Sequence, residues 1–177
     1  MNKFLKLPIF LGAVGMIATF VLAFVFQLTD PIIQERTAAA ETESLKSMYP
    51  NSTIEVLNTD LDECETAAGL VKVYAAKSGS SVEGYLYKCT VSGYKGGEIS
   101  FIIAISSEGK YQGYKVITMT DQTSGIGDKV AGEGFYSQFL GNQVGVEIST
   151  IAGATISSEP VVNAIKYASA HYYENYK

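Results

Sequence analysis

The sequence predicts an α+β fold in which one N-terminal transmembrane helix is followed by a mostly antiparallel sheet packed with helices. Two observations favour this class. Residues 7–26 form an uncharged apolar run of 20 residues, and from residue 52 onward apolar and polar residues alternate with the period of two that is typical of strands. The chain has 177 residues, which is enough for one domain and an anchor but too short for two full domains.

The apolar run at residues 7–26 is predicted to cross a membrane. A helix of this length extends roughly 30 Å, which matches the hydrocarbon thickness of a bilayer. Lys3 and Lys6 precede the run, whereas the acidic Asp30 is the first charged residue after it. By the positive-inside rule we expect a single-pass protein of the cell membrane with a cytoplasmic N-terminus and an extracytoplasmic domain.

A cleaved signal peptide is the competing interpretation of the same run, with Ala38-Ala39-Ala40 as the cleavage site. That site lies far from the apolar run, and charged residues separate the two, so we favour a retained anchor. Both interpretations send the remainder of the chain out of the cytoplasm.

Between the anchor and the domain we expect a stalk helix. It is predicted to begin near Asp30, which is a plausible N-cap, with Pro31 in its first turn. The chain is thereby divided into a cytoplasmic N-terminus and transmembrane anchor, a stalk and an extracytoplasmic domain, at residues 1–28, 29–50 and 51–177.

Five strands are predicted after the stalk, at residues 52–57, 70–76, 82–92, 98–106 and 110–118. The apolar run at residues 99–105 indicates that the fourth strand is covered on both faces. A hairpin turn is expected at Ser107-Glu108-Gly109. One face of the third strand carries apolar side chains, namely Tyr85, Tyr87, Cys89 and Val91.

The C-terminal third is predicted to contain a short helix at residues 135–140, a last strand at 144–148 and a closing helix at 160–174. Four apolar residues of the closing helix share one face and should pack on the sheet, namely Val161, Ile165, Ala168 and Tyr172.

Composition excludes several classes of function. The part beyond the anchor carries 11 basic and 18 acidic residues, hence a net charge of 11 − 18 = −7, which argues against a nucleic-acid-binding surface. One histidine and two cysteines are too few for a zinc or iron–sulfur site built by the protein. Redox chemistry would therefore need an organic cofactor. Cys64 and Cys89 are either a disulfide or two separate small core residues.

The candidate site is the segment from Ile148 to Ser158. Its small residues let the backbone come close to a bulky ligand and leave the Thr155 hydroxyl unshielded. Ser158 precedes the predicted closing helix as a possible N-cap, so the N–H groups and positive end of that helix would lie near Thr155 and could hold a phosphate. Taken alone, the segment fits a small-residue turn that caps a helix equally well.

A second candidate is the loop at residues 120–129. Gly125 and Gly127 would let backbone N–H groups approach a polar ring, and Thr123 and Ser124 offer hydroxyl groups. Without the first segment, a flexible strand-to-helix connection would be the favoured interpretation of this loop.

At these residues the chain resembles the FMN-binding domain family. Gly153-Ala154-Thr155 followed by Ile156-Ser157-Ser158 is similar to the family's flavinylation motif, in which the Thr hydroxyl carries FMN through a phosphoester bond. Residues 93–97 are similar to the family's Gly-Tyr-Gly-Gly segment with Lys95 interposed, and residues 122–127 to its Glu-Thr-Pro-Gly-x-Gly loop.

Four further positions depart from the family pattern. The family usually has an Asp six residues before the Thr and a Ser or Thr three before it, whereas this chain has Ser149 and Ala152. In the loop, Gln122 and Ser124 replace Glu and Pro. Glu147 is close enough to substitute for the missing carboxylate.

Within the family the chain resembles the G subunits of Rnf complexes, which are ion-translocating ferredoxin:NAD oxidoreductases. The resemblance implies an electron-carrying flavoprotein subunit with covalent FMN on Thr155, no acid or base catalyst, and a translocase as its complex. It implies other membrane and peripheral subunits as partners and a flavin transferase for maturation. The implied cofactor-binding residues are Thr155, Gly153, Ala154, Ser157, Ser158, Thr123, Ser124, Gly125, Gly127 and Tyr94.

Two alternatives remain at this point. A membrane-anchored FMN carrier in another extracytoplasmic electron-transfer route would have the same motifs. A non-redox interaction module would use the small-residue turn only to cap a helix.

Overall fold

A computed structural model describes residues 3–58 and 68–177 of the chain. The chain divides into two compact units, Met1–Ala39 and Ala40–Lys177. Cys64, and with it the possible disulfide, lies outside the described residues.

Helix α1 runs over Lys3–Met48. Its residues up to Ala39 belong to the first unit, and those from Ala40 onward belong to the second. From Pro8 the helix is long and apolar enough to cross a membrane, with a mean hydropathy of 2.6 in its most apolar window. No helix starts at Asp30, because α1 continues through this residue. The Asp30 carboxylate does not cap a helix; it accepts a hydrogen bond from Gln34 Nε2 (2.7 Å) within α1. The helix passes through Pro31 and ends close to the predicted position.

The second unit contains a five-stranded sheet in the order β1-β2-β3-β4-β5. Every neighbouring pair is antiparallel, so the predicted α+β class with an antiparallel sheet is confirmed. The strands are β1 Thr53–Asn58, β2 Leu70–Ser78, β3 Ser81–Ser92, β4 Glu98–Ser106 and β5 Tyr111–Met119.

Both faces of β4 are buried, as its apolar run predicts. Alternate side chains of a strand point to opposite faces; Phe101 and Ile103 lie in the larger hydrophobic cluster, and Ile102 and Ala104 lie in the smaller one. The C-terminal helix covers the larger cluster with the predicted face, namely Val161, Ile165, Ala168 and Tyr172. The end of α1 covers the smaller cluster with Leu45, and Tyr49 follows directly after it.

Polar contacts also hold the end of α1 on the sheet. The Glu41 carboxylate pairs with Lys88 Nζ of β3 at 2.5 Å, and both side chains are largely buried. Glu41 also accepts a hydrogen bond from the Tyr74 hydroxyl of β2. The Tyr49 hydroxyl donates to Gln112 Oε1 of β5 at 2.9 Å.

The C-terminal third departs from the sequence prediction in its element boundaries. Helix α2 is short, Glu133–Tyr136, and helix α3 runs over Thr155–Tyr176. The predicted strand at residues 144–148 is wrong: this region makes one isolated bridge, between Lys110 and Gln143, and Gly145 adopts a φ of +95° that no regular strand allows.

Candidate functional site

Helix α3 opens five residues earlier than its sequence predicts, at Thr155 instead of Pro160. In its first turn, the backbone N–H groups of Ser157 and Ser158 both donate hydrogen bonds to Ala154 O, at 3.1 and 2.9 Å. The expected N-cap role of Ser158 is wrong, because Ser158 lies inside the helix, fully buried. Its hydroxyl donates to Ala154 O (3.0 Å) and accepts from Ile151 N (3.0 Å).

The turn before α3 explains why the helix starts at Thr155. Gly153 has a φ of +80° and no heavy atom within 4 Å of a Cβ placed there, so glycine is needed for its backbone conformation and not for space. Ala154 is buried. The chain therefore turns sharply on Gly153, and the side chain of the first helical residue, Thr155, remains exposed.

The exposed Thr155 borders an open cavity of about 380 Å³. Three segments far apart in sequence line it: the 3-10 turn Tyr94–Gly96, the loop before Gly127 and the start of α3. The structure thus brings together seven of the ten predicted site residues, namely Tyr94, Thr123, Gly127, Gly153, Ala154, Thr155 and Ser157. The other three, Ser124, Gly125 and Ser158, do not line this cavity.

The loop before Gly127 uses its amides internally. Ile126 N and Gly127 N both donate to Thr123 O, at 3.1 and 2.9 Å. Gly125 N donates to the Asp128 carboxylate at 2.9 Å. The expectation that Gly125 and Gly127 present N–H groups to a ligand is therefore wrong, and the loop contributes side chains and shape instead.

Sequence reasoning missed two residues that line the cavity, Ile126 and Ile156, and the role of Gln122, which contacts a lining residue. Gln122 accepts a hydrogen bond from the Ser157 hydroxyl at 2.6 Å. Ile126 and Ile156 line the cavity with 46% and 63% of their surface exposed. The sequence does contain a signal for these two isoleucines. Each lies among polar or small residues and has no obvious core role, which indicates a possible binding surface.

These residues fit a ligand that has both an apolar ring and an anionic group. Ile126, Ile156 and Tyr94 offer apolar surface. A helix start leaves its first N–H groups without intrahelical acceptors and carries a partial positive charge, which suits a phosphate. Thr155 supplies an exposed hydroxyl at that same position.

Two larger depressions lie elsewhere in the second unit, one of about 660 Å³ beside Tyr49 and one of about 670 Å³ beside Tyr167. Neither is lined by Thr155 or by the loop before Gly127. Size alone does not identify a site, and the convergence of a hydroxyl, a helix start and apolar side chains favours the smaller cavity.

Comparison with known proteins agrees with this geometry. Residues 93–170 match the FMN-binding domain family. The G subunit of the ion-translocating oxidoreductase complex of Haemophilus influenzae is 27% identical over 89% of this chain and 84% of that protein. The G subunit of the Na⁺-translocating ferredoxin:NAD⁺ oxidoreductase complex of Acetobacterium woodii is 27% identical over 90% of this chain and 80% of that protein.

A solved structure supports the fold. The crystal structure of Shewanella oneidensis NqrC aligns with a TM-score of 0.50 and 16% identity, over 70% of this chain and 81% of that one. The apolar helix and the similarity to subunits of ion-translocating complexes support a membrane-anchored protein. The segment that carries the cavity, residues 93–170, matches the FMN-binding domain family, and the chain as a whole resembles the G subunits of ion-translocating oxidoreductase complexes.

Proposed function

We propose that this chain is the electron-carrying flavoprotein subunit of a membrane-bound, ion-translocating ferredoxin:NAD oxidoreductase complex, with FMN attached covalently to Thr155. The observation that carries the proposal is the position of Thr155. It is the first residue of α3, it is exposed, and it borders a cavity whose other walls come from the segments at Tyr94 and Gly127.

The protein's own residues would bind and shield the cofactor. The start of α3 would hold the phosphate through its first N–H groups and its dipole. Ile126 and Ile156 would cover the ring and exclude water, and the Tyr94 side chain would close the third side. FMN, when bound, accepts and donates electrons, so the chain needs no acid or base catalyst of its own.

A covalent bond has a physical reason if the domain lies outside the cytoplasm. A flavin held only by noncovalent contacts dissociates when its free concentration falls below the dissociation constant, whereas a covalent bond keeps the site filled at any dilution. In the proposed attachment, the Thr155 hydroxyl oxygen would form an ester bond to the FMN phosphorus. The hydroxyl hydrogen of Thr155 and one hydroxyl group of the phosphate would be lost, so the added mass is that of FMN less one water. A flavin transferase is the proposed catalyst of this step.

We further propose that the N-terminus is cytoplasmic and the domain extracytoplasmic. The lysines before the apolar run support this orientation. An amine reagent that does not cross membranes, applied to intact spheroplasts, should label the exposed Lys129 and leave Lys3 unlabelled until the cells are lysed. Labelling of Lys3 alone would reverse the proposed orientation.

The proposed partners are the other membrane and peripheral subunits of the complex. Gentle extraction should copurify the chain with subunits that cross the membrane several times. A chain that purifies alone under the same conditions would instead support an FMN carrier in another extracytoplasmic route.

The attachment site is tested by replacing Thr155 with valine, which has nearly the same shape and lacks the hydroxyl. Intact mass and peptide mapping of protein extracted from its native membranes should show FMN less one water on the wild-type peptide that contains Thr155. The Thr155→Val protein should lack this mass and retain its fold, because the side chain is exposed.

Thr123→Val is the matched control, since Thr123 is an exposed threonine that lines the same cavity. It should keep the added mass on the peptide with Thr155. An unmodified wild-type peptide, or flavin retained by Thr155→Val, would contradict the proposed function.

A further inference from the structure

We propose that the Gln122 side chain is a positioning residue that fixes the Tyr94 turn and the loop before Gly127 against the first turn of α3, and thereby holds the cavity in the shape that receives FMN. The ligand rests on the function proposed above; the contacts made by Gln122 do not.

The carboxamide of Gln122 joins four groups from three segments. Its Oε1 accepts hydrogen bonds from the Ser157 hydroxyl at 2.6 Å and from Tyr94 N at 3.3 Å. Its Nε2 donates to Thr120 O at 3.0 Å and to Gly97 O at 3.5 Å. One side chain therefore connects the turn that carries Tyr94, its own loop and the start of α3.

Three glycines surround this carboxamide closely. A Cβ on Gly93 would lie 2.8 Å from Gln122 Nε2 and 3.0 Å from Oε1, and a Cβ on Gly97 would lie 2.9 Å from Nε2. A Cβ on Gly127 would lie 3.1 Å from Oε1 and 2.9 Å from Ser157 Oγ. A Cβ on Gly93 would also lie 2.8 Å from Ile99 Cδ1, and a Cβ on Gly97 would lie 2.2 Å from Thr120 O. The glycines of two motif segments therefore provide space for Gln122 and for these neighbours.

The hydrogen-bond pattern requires an amide. A carboxamide donates and accepts at the same time, whereas a carboxylate only accepts and a thioether does neither well. Glutamate, the usual residue at this place in the family pattern, would remove the side-chain donor to Thr120 O, while Gly97 O would keep its hydrogen bond from Gly93 N at 2.7 Å. The neutral amide also adds no negative charge beside a bound phosphate.

Ser157 transmits the effect of Gln122 to the attachment site. The Ser157 side chain is 3% exposed and belongs to the first turn of α3, two residues after Thr155. Loss of the bond from Ser157 to Gln122 would leave a buried hydroxyl without its acceptor, which is costly enough to shift the local packing. Gln122 contacts no reacting atom in this arrangement.

The first experiment measures how fast FMN becomes attached. In the native host, Gln122→Met should lower the initial rate of FMN attachment to the Thr155 peptide about fivefold or more, the factor that corresponds to one net hydrogen bond. Its melting temperature should fall by no more than about 5 °C. Gln112→Met, which removes the acceptor of the Tyr49 hydroxyl in a different part of the domain, should leave the rate unchanged.

The second experiment needs no flavin. In full-length protein made in a host without a flavin transferase, unfolding by urea should show that Gly93→Ala is more destabilising beside Gln122 than beside Gln122→Ala, where the contact with Ile99 Cδ1 at 2.8 Å remains. The two changes should couple by roughly tenfold in the folding equilibrium constant. Gly134→Ala is the control, because a Cβ there has no heavy atom within 4 Å.

The outcomes separate the two proposals. An unmodified wild-type Thr155 peptide would reject the proposed function, while the urea experiment would still decide the role of Gln122. A normal attachment rate in Gln122→Met, or an equal cost of Gly93→Ala in both backgrounds, would reject the role of Gln122. If Gln122→Met fails to fold, the Gly93 comparison in the Gln122→Ala background decides alone.

Discussion

The Tyr114 hydroxyl is buried without a hydrogen-bond partner among the residues that the structure describes. Its ring packs against Phe101, Phe135 and Phe139, with ring centroids 5.4 to 6.0 Å apart. Burial raises the pKa of Tyr114, so the hydroxyl is neutral at any physiological pH. A buried polar group that lacks a partner costs stability.

We therefore expect Tyr114→Phe to stabilise the domain by about 1 kcal/mol, measured as a higher urea midpoint with an unchanged slope. Tyr111→Phe is the control with the opposite expected result, because the Tyr111 hydroxyl forms a hydrogen bond with Ser169 Oγ at 2.6 Å. This substitution should lower the free energy of unfolding by about 1 kcal/mol. A loss of stability in Tyr114→Phe would mean that the hydroxyl is satisfied by water.

Among the described residues the Cys89 thiol is free, and it is fully buried in the larger cluster, which fits a core residue. The pairing with Cys64 stays a prediction, because Cys64 lies outside the described residues. Burial raises the pKa of Cys89, so the thiolate that would react with oxidants does not form while the domain is folded.

At the scale of elements, the end of α1 is inserted into the domain. Gly84 of β3 makes room for it, since a Cβ there would lie 2.0 Å from the Tyr49 hydroxyl oxygen. Burial, together with the negative charge of Glu83 and the neighbouring Tyr172, raises the pKa of Tyr49 to about 12. The phenol of Tyr49 thus stays neutral in the folded state at a pH where it ionises in the unfolded chain.

This shift predicts a loss of stability in alkali. Because the folded pKa is raised above the ordinary value of 10.0, the stabilisation is fully present below pH 10 and is lost as the pH rises towards 12. Between pH 10 and 12, the free energy of unfolding should fall by about 1–2 kcal/mol less in Tyr49→Phe than in the wild-type protein. Urea unfolding between pH 9 and 12 measures it; equal slopes for both proteins would contradict the prediction.

Some elements could be predicted from the sequence and others could not, for physical reasons. The bounds of β4 were predicted correctly, because a long, uninterrupted apolar run of this length fits a strand that is buried on both faces. Pro31 and Pro160 misled the prediction because proline starts helices by a local preference, and both prolines lie inside longer helices here. The alternation of Val144, Val146 and Ile148 suggested a strand, but Gly145 at φ +95° interrupts it.

The candidate site was predictable to a similar extent. Local motifs identified the three segments, since glycines and hydroxyl residues are visible in sequence. The role of Gln122 was not visible, because it depends on glycines that are distant in sequence and meet only in the folded domain. The internal use of the Gly125 amide by Asp128 likewise follows from a loop conformation that the motif does not specify.

At the scale of the whole molecule, we expect the boundary of the folding unit to lie near residue 40. A fragment with residues 40–177 should be soluble and fold, because it keeps Glu41, Leu45 and Tyr49 on the sheet. A fragment with residues 51–177 should be less stable by at least about 3 kcal/mol, because it lacks the burial of Leu45 and Tyr49 in the smaller cluster. Chemical denaturation of both fragments measures the difference, and equal stabilities would place the boundary at residue 50.

The side chain of Thr155 is exposed, while the opposite face of its helix is buried. Under the proposed function, the chain would therefore reach its native packing before the cofactor is attached, and the transferase would act on a folded surface. A cell short of flavin would then keep folded, colourless molecules and modify them later, without degrading or resynthesising them.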